Sequence, residues 1–490
     1  MTAAHCRSWA RTSSHGRCRV IESQRRTGLD DFARVVGHVR ERRLGYPPAM
    51  PAGPDARNPA REWLLALGAV LVFALVAAWL ADDTWSDIRT SRLDGGWLTD
   101  FRDAIYYPAL ALREGVNPYD PSAFYSAYPV GQEFPLYSPV HLVVHMPLTL
   151  LSLARARAVY FGLNLGLIIL LSATALRLAR HQVTVASVFG FAALLLLSDP
   201  GFWDLRSGEP TLLVVLGVYL ALACARERPG WGAVGLVLAL TKPTFGVVLV
   251  LLMCCRRETR AALWGTLTAI AISAVVTLRL VDLAGGIAAL IDSLRDDLEV
   301  TSRSPQSRLG SSLRIDAPNT LARLTRVRPG EAVATLAGLV LLAVGAWLVW
   351  RLHRHDPTGD RSELAILLAA LLILVPFFHV PYDELLLAWP LALLLRRPLR
   401  DAPPWPRACR GTVTALLVVA MVGPTRWEGV NDALSRSVLA RLAGPTIPGL
   451  CLLAALLLTS WTAWRASRAD PERSPGIAST PHPLPSTGPG

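Results

Sequence analysis

Residues 231–255 read WGAVGLVLALTKPTFGVVLVLLMCC. Two apolar runs, 231–241 and 243–255, meet at Lys242-Pro243. Proline has no N–H and breaks a helix at this point. A lysine at the centre of a membrane span costs about 2.5–3.5 kcal/mol on insertion scales. The carbonyls freed by the break are tolerated only where protein or a wet cavity satisfies them. The stretch therefore predicts a broken helical hairpin in a membrane, with a polar site at its break. Lys242 is also the single lysine among 49 basic residues. It is either an ammonium for a phosphate or carboxylate, or a side chain snorkelling to the interface.

Further apolar runs lie at 63–81, 138–152, 156–178, 183–198, 210–225, 261–281, 331–350, 363–380, 384–395, 411–425 and 447–464. Of the 490 residues, 52% are hydrophobic and 18% charged. A soluble domain carries about 25% charge. The composition excludes disorder, collagen and a disulfide scaffold. The expected architecture is all-α: a polytopic membrane domain over 63–464 with about twelve transmembrane segments. Two long polar stretches, 82–137 and 282–330, interrupt it as external loops, the first carrying juxtamembrane helices. The run 138–152 predicts a juxtamembrane or re-entrant helix, and 156–178 the true span. Residues 1–62 form an Arg-rich tail with 12 Arg against 6 acids, and Met50 is an alternative start. Residues 465–490 form a second, disordered tail.

Arginine in short loops marks the cytoplasmic side. Arg177 with Arg180, Arg226 with Arg228, Arg256 with Arg257, and Arg396 with Arg397 point inward. The 82–137 loop holds nine acids and four Arg and points outward. Both termini are then cytoplasmic and the polar site faces outside a plasma membrane. Arg155 and Arg157 fall on the wrong side in this topology. The net charge of +12 is accounted for by cytoplasmic Arg and tails, so no nucleic-acid partner is implied. The seven cysteines show neither CxxC nor a Cys/His metal spacing, so no metal is expected. No P-loop, GxSxG or HExxH pattern is present.

This topology collects a set of polar residues on one face. Asp100 and Asp103 are three apart, and helix over Asp100–Leu112 places Tyr107 on their side. A carboxylate there can act as general base. On spacing alone, a pair of solvated acids in an exposed loop is the commoner arrangement. Asn117, Tyr119, Tyr137 and Glu209 follow in external segments. His379 lies in Pro376-Phe377-Phe378-His379-Val380-Pro381-Tyr382-Asp383-Glu384, where two prolines make the backbone irregular beside a membrane. It can shuttle a proton or bond a leaving phosphate.

The order of these motifs resembles one family. Thr99-Asp100-Phe101-Arg102-Asp103 opens the first loop, followed by Gly115-Val116-Asn117-Pro118-Tyr119-Asp120 and Phe134-Pro135-Leu136-Tyr137-Ser138-Pro139. Gly208-Glu209-Pro210-Thr211, Lys242-Pro243 and His379…Tyr382 come later. Over roughly 63–400 this is similar to glycosyltransferase family 87, the actinobacterial polyprenyl-phosphate-mannose-dependent α-1,2-mannosyltransferases of the GT-C superfamily. Two motifs depart from the family. Glu209-Pro210-Thr211 stands where it often has Gln and Asn, and Tyr137-Ser138-Pro139 where it often has Tyr-Pro-Pro.

The resemblance implies a GT-C-like fold and an inverting transfer. A hexosyl residue moves from polyprenyl phosphate mannose to a lipid-linked or glycan acceptor at the outer face. It makes Asp100 the base and His379 an aid to phosphate departure. Asp103, Tyr107, Asn117, Tyr119, Tyr137, Glu209, Lys242 and Tyr382 are the expected substrate contacts. No cofactor is expected beyond the lipid-linked donor, and the partners are membrane lipid, donor and acceptor. The growing charge on the leaving phosphate calls for a cation, with Lys242, a protonated His379 or an Arg of 282–330 available. The alternative is a secondary transporter or flippase of envelope precursors. It would carry inverted repeats and ionisable residues near the midplane, and no repeat is found.

Overall fold

The structure is a computed structural model that describes residues 59–90, 98–132, 134–304, 306–355, 362–396, 406–423 and 446–468. Most of the Arg-rich tail, Met50, most of the C-terminal tail and nearly all of the external segment 424–446 lie outside the described residues. No strand occurs among the described residues. The helices are α1 (Pro59–Thr90), α2 (Tyr107–Glu114), α3 (Pro121–Ala127), α4 (Pro139–His145), α5 (Leu153–Leu178) and α6 (Val185–Leu197). Next come α7 (Asp199–Ser207), α8 (Thr211–Cys224), α9 (Pro229–Ala239), α10 (Pro243–Cys255), α11 (Thr259–Ala284) and α12 (Ile287–Arg303). The last are α13 (Ala317–Thr325), α14 (Glu331–His355), α15 (Ser362–Leu374), α16 (Ala388–Leu395), α17 (Arg407–Val422) and α18 (Ile447–Arg468).

Five helices are long and apolar enough to cross a bilayer: Pro59–Asp82, Leu153–Leu178, Thr259–Ala284, Glu331–Arg354 and Ile447–Arg468. A sixth candidate is the pair α6 and α7, bent by 76° at Ser198. Six shorter apolar helices complete the set. The described residues thus show five or six candidate spans, where the apolar runs alone predict about twelve. The remaining apolar runs form helices too short for that criterion, and several of them are shielded by protein. In α8, Val214, Val215 and Val218 are fully buried, and in α15 so are Leu371, Leu372 and Ile373. A run shielded by neighbouring helices can be apolar without being long enough to span lipid. By contrast α11 exposes Leu263, Trp264, Ile270, Val275 and Leu278 along its length, as a lipid-facing helix does.

The break at Lys242-Pro243 is observed: α9 ends at Ala239 and α10 begins on Pro243, with Lys242 in extended conformation between them. Small residues bring α8 and α9 together. A Cβ on Gly217 would stand 2.7 Å from the Gly235 carbonyl oxygen, so neither helix tolerates bulk there. The run 138–152 folds as α4 followed by a 3₁₀ turn over Met146–Leu150. The span after it begins at Leu153, close to the predicted 156. The stretch 282–330 is not a plain loop but carries α12 and α13.

The first polar segment also differs in detail from a regular helix over Asp100–Leu112. Residues Phe101–Tyr106 form a π-helical turn that runs into α2. Pro108 explains part of this, because it has no N–H to give the Ala104 carbonyl four residues earlier. His141 of α4 replaces that bond, with its Nε2 2.9 Å from the Ala104 oxygen. The contact makes Nε2 the protonated ring nitrogen. The segment packs on α11 and α12 through Ala111, Tyr119, Phe134, Leu142, Val276 and Leu290. Its start packs on α5 through Phe101, Ile105 and Tyr160.

Candidate active site

Gly208 is where the first polar segment meets the bundle. It closes α7 at φ +75°, a conformation that favours glycine. A Cβ there would lie 2.7 Å from Leu98 Cδ2 and from Phe101 Cβ. The Leu98 N–H donates to the Arg206 carbonyl at 2.6 Å. These contacts bring Asp100 beside Ser207 and Glu209.

Glu209 is held from several sides. The Tyr160 hydroxyl donates to its backbone carbonyl at 3.0 Å. The Tyr137 hydroxyl donates to Oε2 at 3.1 Å and the Tyr382 hydroxyl to Oε1 at 2.8 Å. Its carboxyl is also within hydrogen-bond reach of Asp100, which takes a further hydrogen bond from the Gln132 amide. Two carboxyl groups this close cannot both ionise readily. Burial pushes Asp100 above the usual carboxylate range, while Gln132, Glu209 and Ser207 pull it back. Burial, then the charge of Asp100, pushes Glu209 up to about 8. At neutral pH Glu209 is therefore the protonated member of the pair.

A second buried pair adjoins the first. Lys242 Nζ donates to Asp383 Oδ1 at 2.6 Å and lies 4.8 Å from the Tyr382 ring centroid. Thr211 donates to the same Asp383 oxygen at 3.3 Å, and the Val380 N–H to the other at 3.2 Å. Tyr382 thus touches both pairs. The ammonium of Lys242 is neutralised by Asp383 and already hydrogen-bonded. Asp204 stands near both pairs, fully buried, with neither carboxyl oxygen bonded among the described residues.

His379 is fully buried. Its Nδ1 is 3.2 Å from the Phe377 carbonyl, and its ring meets Phe245 edge-on at 5.0 Å. It borders the Lys242–Asp383 pair rather than the Asp100–Glu209 pair. Burial holds its imidazole below the usual value, with Lys242 acting the same way and Asp383 opposing. Burial thus favours its uncharged form. In the second polar stretch Arg314 is paired with Asp316 at 2.8 Å, and Arg303 with Glu299.

The remaining expected contacts stand apart from the two carboxyl pairs. Asp103 binds Arg102 at 2.5 and 2.8 Å and accepts the Gly131 N–H at 3.0 Å. Tyr107 packs on Tyr106 and Tyr128. Asn117 builds a turn by accepting the Tyr119 N–H at 3.1 Å. The buried Tyr119 hydroxyl donates to the Tyr137 carbonyl at 2.7 Å, and so positions Tyr137. Gln132 and Asp383 are the contacts that reading by motif passes over. Asp383 had a signal, since a buried lysine demands a carboxylate. Gln132 had none. Among the described residues, no three or more His, Cys, Asp or Glu side chains are grouped to hold a metal ion.

No curated protein and no solved structure matches the chain. The segment carrying Tyr137, Glu209 and Lys242 does have a counterpart, which stops short of Asp100 on one side and of His379 to Asp383 on the other: residues 136–376 match the model of glycosyltransferase family 87.

Proposed function

We propose that the chain is a membrane-embedded glycosyltransferase. It moves a mannosyl, or other hexosyl, residue from a polyprenyl-phosphate donor to a lipid-linked or glycan acceptor, with inversion. The family match over 136–376 supports the transferase class. The observation that carries the mechanism is the carboxyl pair of half-buried Asp100 and buried Glu209, joined through Tyr382 to the Lys242–Asp383 pair.

Asp100 takes the proton of the acceptor hydroxyl as that oxygen bonds to the sugar C1. The bond from C1 to the phosphate oxygen breaks, and its electron pair leaves with the phosphate. Raising the Asp100 carboxyl toward ambient pH makes it a stronger base. A phosphate leaving group is anionic and needs no paired acid, unlike glycoside hydrolysis. Protonated Glu209 accepts from Tyr137 and Tyr382 and still has one hydrogen for Asp100, which orients the base. The site faces the outer side of a plasma membrane, as the distribution of Arg among short loops supports.

Purified protein given polyprenyl phosphate mannose and a mannosylated lipid tests the reading. Hexose transfer that depends on Asp100 is the expected result. No transfer by wild type from any polyprenyl phosphate sugar would sink it.

A further inference from the structure

A leaving phosphate needs a cation, and the charges around the site are largely committed. Lys242 is spent on Asp383 and Arg314 on Asp316. Arg113 donates to the Thr149 carbonyl. Arg157 is different. It lies near the start of α5, its Nε is buried, and that nitrogen has no hydrogen-bond partner among the described residues. Its guanidinium stands within electrostatic reach of Arg102, Asp103 and Tyr107.

The position on α5 decides which way Arg157 points. Tyr160, Asn164, Ile168 and Leu171 are the buried face of this helix, and Arg157 continues their spacing. Val159, Leu163 and Leu170 form the exposed face. Arg157 is thus turned toward the protein, one turn from Tyr160, which holds the Glu209 carbonyl and stacks on Phe101 at 4.5 Å. Because α5 is long enough to span, its first turns mark the level where hydrocarbon gives way to head groups. Two guanidinium groups, of Arg157 and Arg102, thus come to this place, with Asp103 bonded to Arg102. The same placement answers the topology, since Arg157 belongs on the side of the site and not with the cytoplasmic arginines.

We propose that Arg157, with Arg102 held beside it by Asp103, binds the phosphate of a lipid-linked phosphate at the membrane boundary. The ligand class is a phosphate ester on an isoprenoid tail. The assignment of that phosphate to the sugar donor rests on the function proposed above. A bulk phospholipid would meet the outward face of α5 instead.

The test uses the full chain in detergent and farnesyl phosphate as probe, measured by equilibrium binding without any sugar transfer. Arg157→Gln is expected to weaken farnesyl phosphate roughly tenfold to hundredfold, the range for a charge-assisted hydrogen bond. Farnesol binding should not change. Arg157→Leu serves where the Gln variant melts early. Either variant that is folded by its melting temperature and binds farnesyl phosphate as wild type does would overturn the site. In wild type, saturating farnesyl phosphate should shield Arg157 from phenylglyoxal, read by peptide mass, and an unshielded Arg157 refutes the proposal. Phosphatidylinositol or inorganic phosphate competing as well as farnesyl phosphate refutes the isoprenoid assignment. If wild type transfers no sugar yet binds farnesyl phosphate through Arg157, the transferase reading fails and this site stands. If transfer proceeds with an unchanged donor KM in Arg157→Gln, the reverse holds.

Discussion

The two long polar stretches of the chain both interrupt the apolar series and behave differently in the fold. In the first, between α1 and α5, charged and aromatic groups reach far along the chain. Tyr137 bonds Glu209, Tyr119 bonds the Tyr137 carbonyl, and the Ser138 N–H donates to the Thr241 carbonyl at 3.3 Å. In the second, most charges of α12 stay on its surface, although Asp297 is buried within electrostatic reach of Tyr119. Arg295 pairs with Asp292 at i,i+3, both well exposed, and Arg303 with Glu299 at i,i+4. Leu290 packs against the first stretch, and the later part is tied in where the Ile315 N–H donates to the His379 carbonyl and the Ala317 N–H to the Val375 carbonyl. Buried polar groups must be bonded and are costly to orphan, whereas exposed ion pairs contribute little. Burial separates the polar groups gathered around Glu209 from the exposed ion pairs of the stretch that braces them.

The sharpest way to break this contrast is Asp100→Asn. It should lower transfer by about 10²–10⁴-fold, the usual worth of a general base, with the melting temperature little changed. Asp103→Asn should instead lower stability more than the chemical step. Next is Lys242→Ala, which strands the Asp383 carboxylate in the interior. Removing one partner of a buried pair costs about 3–5 kcal/mol, to be read from thermal unfolding in detergent. A Lys242→Met, Asp383→Leu double variant should recover much of that stability while staying inactive.

Gly208→Ala puts a Cβ into Leu98 and Phe101 at a positive φ. It should cost about 1–3 kcal/mol and depress activity further by moving Asp100 off Glu209.

A finer probe is pH. Glu209 in the folded protein is pushed up to about 8, above its ordinary 4.5. The stability contributed by its protonated form is full below 4.5 and is lost as pH rises through about 8. Activity that needs protonated Glu209 should fall above about 8, and Glu209→Gln should flatten that limb. An unchanged limb in the variant would assign it to another group. The smallest effect belongs to the bracing stretch. Arg295→Ala should change stability by less than about 0.5 kcal/mol and leave transfer alone.

Local chemistry is legible in the residues themselves. The break at Lys242-Pro243, the span over α5 and the helix before it follow from proline, apolar run length and the cost of a charge in lipid. Asp100, Tyr137, Glu209, Lys242 and Tyr382 are nameable as polar residues on one face. Their pairing was not, because nothing local to Asp100 records that Gly208 lets Leu98 and Phe101 dock on α7. The role of His141 was equally hidden, since it answers a carbonyl orphaned by a proline on another helix.

Residue types and their periodicity establish a helical, membrane-embedded chain with its scarce charges gathered at breaks and in loops. That much follows from the solvent preferences of side chains and the backbone's need for hydrogen bonds. Tertiary packing alone decided which apolar helices are core and which face lipid, because an apolar residue is equally content in either. It also decided which carboxyl holds a proton. Ionisation in a low-dielectric interior depends on the distance to the nearest other charge, and that distance is set by the fold.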